Sequence, residues 1–290
     1  MVDLSVLFGR FKKEKQYLKN ITPATVRSYT KSWLAFVAHC GCTCLGYLSQ
    51  DAMKELMVSW LASGLKPGAA NSYARSVNSF LSWLHECGHT ATRFRVPLAR
   101  DARKVLKTYS DEDAAKIISH KPATQAQKRV LALLHLLIDT GCRIAEALTL
   151  TRDSVDFDNL LVTLSGKGRK QRIVPISPIC RKELFRHLNS HEHKLVFCTR
   201  DGVALRYDNI KRDFLAVLKA AGVEKTEGSF HAFRRFFGKA YLKNGGNAIY
   251  LQHLFGHSTM DMVRRYVAED AEDLREAHKT LSPLEALKKR

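Results

Sequence analysis

Leu160-Leu-Val-Thr-Leu164, Gly166-Lys-Gly-Arg-Lys170 and Arg172-Ile-Val-Pro-Ile176 make up the one stretch of this chain that reads clearly as β structure. Two short apolar runs flank a turn of glycines and cations. The pattern predicts a hairpin or small antiparallel sheet with a basic loop at its tip. Elsewhere the apolar residues recur at helical spacing. The fold class that follows is mainly α with one small antiparallel β-sheet.

Upstream of the hairpin, Val130 to Ile138 is apolar on nearly every face, as a buried central helix requires. Thr140-Gly141 ends it, and a new helix follows with Arg143 in its first turn. Ser110-Asp-Glu-Asp113 reads as a capped helix start with acidic residues in the first turn. Downstream, helical patterns resume at Tyr207 and are broken by Asn244-Gly-Gly-Asn247 and by Gly256. The first 95 residues or so are helical throughout. Thr22-Pro23 opens a helix to about His39 whose stripe is Val26, Tyr29, Trp33, Phe36 and Val37. Similar stripes run over Val6 to Leu18, Met53 to Leu61 and Ala69 to Leu84. Between the helical part and the rest lies an aperiodic basic stretch with Arg93, Arg95, Arg100, Arg103, Lys104 and Lys107. The organisation expected is a helical domain over 1–95, a basic linker over 96–108, and a larger domain over 109–290.

The chain carries 47 Lys and Arg against 28 Asp and Glu, a net charge of +19 over 290 residues. Both parts share the excess, which points to a polyanionic partner whose phosphates the cations neutralise. An anionic membrane surface fits the charge alone. No apolar run approaches the ~18 residues of a spanning helix, and no signal peptide opens the chain. The expectation is a soluble, cytoplasmic protein. Seven scattered cysteines agree with a reducing compartment. Cys40, Cys42 and Cys44 lack a fourth ligand and the usual zinc spacing, so they read as small residues at a helix end. His187, His191 and His193 have no acidic partner in metal-binding register and read as a solvated helix end. No metal site is expected.

Four separated pieces carry chemistry. Glu146 lies three residues past Arg143 and could orient its guanidinium. Gly166 and Gly168 let a hairpin tip approach another backbone and present Lys167 there. His231 and Arg234, three apart, project from one helix face. Gly256 stops a helix just before His257, and Tyr266 follows nine residues later. Each has a plain reading: a surface ion pair, a basic turn, a satisfied histidine, a core tyrosine. Their order and spacing together are what persuade.

Taken together, Thr140-Gly-Cys-Arg143-Ile-Ala-Glu146, Gly166-Lys167-Gly168, His231-Ala-Phe-Arg234 and Gly256-His257 followed by Tyr266 resemble the tyrosine recombinase, or phage integrase, family. The match is close from about Thr108 to Tyr266. The N-terminal helices resemble the family's core-binding domain in type and length only. The resemblance implies a two-domain architecture, a helical DNA-clamping domain followed by an α-rich catalytic domain. It implies Arg143, Lys167, His231, Arg234, His257 and Tyr266 as the active site, with Glu146 in support. DNA contacts are expected from Arg93, Arg95, Lys104, Lys107, Arg169 and Lys170. The sequence departs from the family at Arg235, where histidine is frequent, at Phe233, where leucine is usual, and at Phe255 of the Leu-Gly-His box.

The implied reaction is site-specific breakage and rejoining of double-stranded DNA. Two arginines would hold the non-bridging oxygens, which makes a metal ion dispensable. Tyr266 would attack to form a 3′-phosphotyrosine, with Lys167 as acid for the leaving oxygen, His231 as base and His257 bonded to the phosphate. The link retains the bond energy, so neither ATP nor another cofactor is expected. The resemblance further implies a homo-tetramer on two duplexes, a monomer or dimer when free, and partners such as an accessory recombinase or directionality factor. A C-terminal segment, about 268–290, would dock on a neighbouring protomer through Leu274, Ala277, Leu281, Leu284 and Leu287. Integration, excision, resolution and transposition all remain open. A type IB topoisomerase-like nicking-closing enzyme would share the chemistry but relax supercoils at no fixed site. A DNA-binding relic would form no covalent adduct.

Overall fold

Pro23 at a first helical position and the Thr22 hydroxyl, which accepts from Thr25 N at 3.3 Å, start a helix where the sequence signals it. The computed structural model describes residues 3–41, 43–101, 107–166, 171–226, 229–256, 259–260, 275, 278, 282 and 284. Its chain divides into two units, Met1–Lys104 and Val105–Arg290.

The first unit holds α1 (Leu4–Leu18), α2 (Pro23–Cys40), a 3₁₀ turn (Leu45–Tyr47), α3 (Gln50–Ala62) and α4 (Pro67–Glu86). Its core is aromatic. Phe8 stacks on Trp33 at 4.6 Å between centroids, and Phe80 stands edge-on to both, at 5.3 and 5.6 Å. Such pairs add about 0.5–1.5 kcal/mol each beyond the area they bury. The stretch that follows α4 is extended and bound to this unit by three side-chain amides. Gln50 Nε2 donates to Arg95 O at 2.8 Å, and Arg95 N donates back to Gln50 Oε1 at 3.2 Å. Asn78 grips both backbone groups of Val96, at 2.9 and 2.7 Å, and Asn71 those of Ala99, at 2.9 and 2.8 Å. Each amide offers one donor and one acceptor, as a neighbouring strand would. Arg95, Val96 and Ala99 are therefore held on α3 and α4 by both of their backbone groups.

The second unit is built on α6 (Gln125–Thr140), against which α8 (Pro178–Leu188), α9 (Tyr207–Ala220) and α10 (Phe230–Lys243) pack. Val130, Leu133, Leu134, Leu136 and Leu137 of α6 are all buried, which accounts for its apolar character on every face. α5 (Asp111–Ser119) is capped by the Ser110 hydroxyl, bonded to Asp113 N at 3.0 Å. α7 (Ile144–Leu148) leads into a three-stranded antiparallel sheet of β1 (Val155–Asp156), β2 (Leu161–Ser165) and β3 (Gln171–Pro175) in that order. The hairpin is where the sequence puts it. Strand β1 is too short to show any periodicity. Val162 pairs with Val174, and Leu164 with Arg172, so Arg172 shares the covered face of the sheet. α11 (Ala248–Phe255) follows α10 and ends at Gly256.

Candidate functional site

Gly141 ends α6 with φ at +59°, a left-handed conformation that side chains rarely adopt. A Cβ there would stand 2.6 Å from Phe237 Cδ1 and 2.6 Å from Phe255 Cε1, so the close packing also demands glycine. The turn puts Cys142 in the core. Burial pushes its thiol up to about 11, which leaves it protonated and inert. Arg143 comes next. It is the N-cap of α7, with extended φ and ψ of −74° and 144°, rather than a residue of the first turn as its spacing predicts. The reason is Glu146, whose Oε2 accepts from Arg143 N at 2.8 Å while Oε1 accepts from the guanidinium at 2.9 Å. A guanidinium has no lone pair to return to the helix, so Glu146 supplies the cap alone.

Glu146 is 4% exposed and takes a second, forked partner. Arg172 donates from both terminal nitrogens, at 2.8 Å to Oε1 and 2.9 Å to Oε2. Burial on its own would raise the pKa of this carboxyl. The bonds from Arg172, then those from Arg143, outweigh that and hold it at about 2. Glu146 is a fixed anion shared by two cations.

Three guanidiniums meet at the end of α11. Arg172 Nε donates to Leu254 O at 2.7 Å. Arg234 donates to Phe255 O at 2.8 Å and Arg143 to the same oxygen at 3.4 Å. The last carbonyls of a helix lack intrahelical donors and carry the negative end of its dipole, so cations are stabilised there. Arg234 also donates to Gly141 O at 2.7 Å, and its guanidinium carbon lies 4.0 Å from the centre of the Phe255 ring. Gly256 closes α11 with φ at +61°, and a Cβ there would meet Arg172 Cδ at 3.1 Å.

His231 and Arg234 stand one turn apart on α10, but they share its face only in part. Arg234 is buried and His231 reaches solvent at the rim. Although the ring is exposed, the packed chain beside it desolvates its charged form. That effect first, then the cations of Arg234, Arg235 and Arg143, hold its pKa below the ordinary imidazole value. It is therefore neutral near pH 7, with a lone pair available.

The three departures from the family pattern have local causes. Phe233 is buried and stacks on Tyr109 at 4.5 Å. Arg235 forks onto the carbonyl of Lys107, at 3.1 and 2.7 Å, tying α10 to the chain ahead of α5. Phe255 supplies the ring beneath Arg234. Of the residues the sequence singles out, Arg143, Glu146, His231 and Arg234 thus come together. Lys167, His257 and Tyr266 lie outside the described residues, as do Lys104, Arg169, Lys170 and most of the C-terminal segment. Arg93 and Arg95 lie on the exposed side of the bound stretch after α4, where Arg93 donates to Ser82 Oγ at 3.1 Å. Lys107 is exposed as well.

Sequence reasoning missed Arg172. The signal was its parity: Val174 and Ile176 are buried while Ile173 is 62% exposed, so the arginine falls in phase with the inward residues. The histidine trio is structural. His187 and His191 both bond Val196 O through Nε2, at 2.9 and 3.2 Å, and His193 bonds Arg200 O at 2.9 Å. They fasten the loop after α8 rather than forming a solvated helix end. Among the described residues no group of three or more His, Cys, Asp or Glu is placed to hold a metal, and no helix is long and apolar enough to cross a membrane.

A family model described as the phage integrase family matches residues 107–273. The chain is 30% identical over 282 residues to a protein named tyrosine recombinase XerA of Thermococcus kodakarensis, a match covering 93% of either chain. It is 28% identical over 240 residues to one named tyrosine recombinase XerC of Corynebacterium glutamicum, covering 77% and 76%. Among solved structures, the fold resembles XerH site-specific recombinase bound to its difH substrate, with a TM-score of 0.75, 18% identity and coverage of 94% of this chain and 83% of that one. The integrase of transposon Tn1549 with transposon-end DNA gives a TM-score of 0.78 at 16% identity, covering 97% of this chain and 100% of that one.

Proposed function

The chain belongs to the phage integrase family, and from that premise we propose that Tyr266 cuts double-stranded DNA within the arginine-rich site just described. It is a tyrosine recombinase, an enzyme that breaks and rejoins DNA at specific sites. The observation that carries the assignment of residues is the meeting of Arg143 and Arg234 at the carbonyl of Phe255, two residues ahead of His257. Two permanently charged forks from separate helices are held beside the segment that leads to His257 and Tyr266.

The chemistry follows from the charges. A phosphodiester resists attack because its negative charge repels nucleophiles and grows in the transition state, and Arg143 and Arg234 offset that charge. The Tyr266 oxygen attacks phosphorus, the bond to the 5′ oxygen breaks, and a 3′-phosphotyrosine remains. Neutral His231 accepts the tyrosine proton, Lys167 gives one to the departing 5′ oxygen, and His257 bonds the phosphate. Attack by a 5′-hydroxyl from a second duplex reverses the step. The pairing of two duplexes calls for four protomers, with the C-terminal segment 268–290 of each docked on the next and lysines and arginines of the first unit on the phosphates. The protein then works in the cytoplasm, on nucleoid DNA.

The test uses a nicked duplex from the DNA that flanks its own gene, which loses a short fragment on cleavage and traps the adduct. Wild-type protein should become covalently linked at a 3′ end, and Tyr266→Phe should give no adduct. An adduct that survives Tyr266→Phe would remove the tyrosine from this role.

A further inference from the structure

We propose that Arg172 is a positioning residue for strand cleavage, holding Arg143, strand β3 and the end of α11 in one register; this rests on the reading of Tyr266 above. Three observations lead to it. Arg172 spends both terminal nitrogens on Glu146 and its Nε on Leu254 O, so one side chain ties β3 to α7 and to the last turn of α11. It lies on β3, five residues past Lys167 in the sequence. And Gly256 sits against its stem, where any side chain would press on Arg172 Cδ at 3.1 Å.

The charge balance gives the arrangement a second consequence. Glu146 is one carboxylate between two guanidiniums. Because Glu146 is shared between Arg143 and Arg172, which engages both of its oxygens, it offsets only part of the charge on Arg143, and the three groups together keep a net positive charge. Without Arg172, the buried carboxylate has Arg143 as its one guanidinium partner in the cluster, and the pair is neutral. Arg143 would then bind an incoming phosphate less well as charge builds on it, while contacts elsewhere on the duplex would be unchanged. A 14% exposed arginine costs stability unless its partners are in place, and here they all belong to segments that carry the site.

The experiment compares wild type, Arg172→Lys and Arg172→Ala on the nicked duplex, reading the single-turnover rate of adduct formation, the DNA affinity and the melting temperature together. Arg172→Ala should slow adduct formation roughly a hundredfold, the scale on which small misplacements act. Arg172→Lys keeps the charge but not the fork, and should fall between the two. DNA affinity should stay within about twofold in both, since the effect is on the reacting phosphate rather than on the whole duplex. If Arg172→Ala does not fold, the lysine variant carries the comparison. Adduct formation at the wild-type rate per folded molecule, or a rate that falls only in step with affinity, overturns the inference while leaving Tyr266 untouched. A wild-type protein that forms no adduct on the flanking DNA defeats the reading of Tyr266 and this inference with it.

Discussion

Both units fasten a length of chain through side chain–backbone hydrogen bonds, but with different chemistry. In the first, Gln50, Asn71 and Asn78 hold residues 95–99 with neutral amides that satisfy an N–H and a C=O each. In the second, Arg143, Arg172 and Arg234 hold the end of α11 with guanidiniums that only donate. Amides do the holding without burying charge. Guanidiniums at the same task must be desolvated, and a buried carboxylate has to be added to stabilise them. A fold needing only an anchored helix end has a less costly way to get one. The charged version fits the proposed role of Arg143 and Arg234, since a guanidinium fork matches a phosphate in charge and geometry.

The sharpest way to break the comparison is Glu146→Gln, which leaves Arg143 and Arg172 without their anion. Losing one partner of a buried pair costs about 3–5 kcal/mol, to be read by urea unfolding, and adduct formation should fall with it. The pH dependence has a definite sign. Glu146 is held at about 2 in the folded protein, below its ordinary 4.5, so its contribution is complete above the ordinary value and lost as pH falls towards 2. The glutamine variant should lose that acid limb. A variant as stable as wild type, with the limb intact, would show that the carboxylate does not organise the cluster.

Gly141→Ala comes next. A left-handed φ on alanine costs about 1–3 kcal/mol, and the contacts with Phe237 and Phe255 add overpacking of about the same size. Melting temperature should drop, and because Gly141 O is an acceptor of Arg234, cleavage should drop further than stability alone explains. The neutral clasp should behave differently. Asn78→Ala strands both backbone groups of Val96 and costs about 1–3 kcal/mol, visible as faster proteolysis between residues 95 and 104. Adduct formation at saturating DNA should hold. If it fell as far as in Glu146→Gln, the two kinds of fastening would not differ in function.

The same contrast marks what the sequence discloses. The hairpin was readable because Leu160 to Ile176 is the one place where short apolar runs flank a glycine-rich turn. Helices α2 and α6 were readable from caps and stripes, and the Arg143–Glu146 pairing from three-residue spacing. The clasp was not, since Asn71 and Asn78 lie on a helix and look like ordinary solvated residues until the returning chain is placed against them. Arg172 was hidden for a similar reason. Its partner Leu254 is 82 residues away, and no local period encodes such a contact. Its parity with Val174 and Ile176 was the only local sign. Arg143 was displaced from helix to cap because Glu146, buried behind it, claims its backbone N–H as well as its guanidinium.

The measurement that bears most directly on the site is the identity of the amino acid left on the DNA. Trapped complex from the nicked duplex, digested with trypsin and sequenced by mass spectrometry, should yield one nucleotide-bearing peptide with the 3′ phosphate on Tyr266. A phosphate on any other residue, or a link through the 5′ end, would contradict the proposal that Tyr266 is the nucleophile.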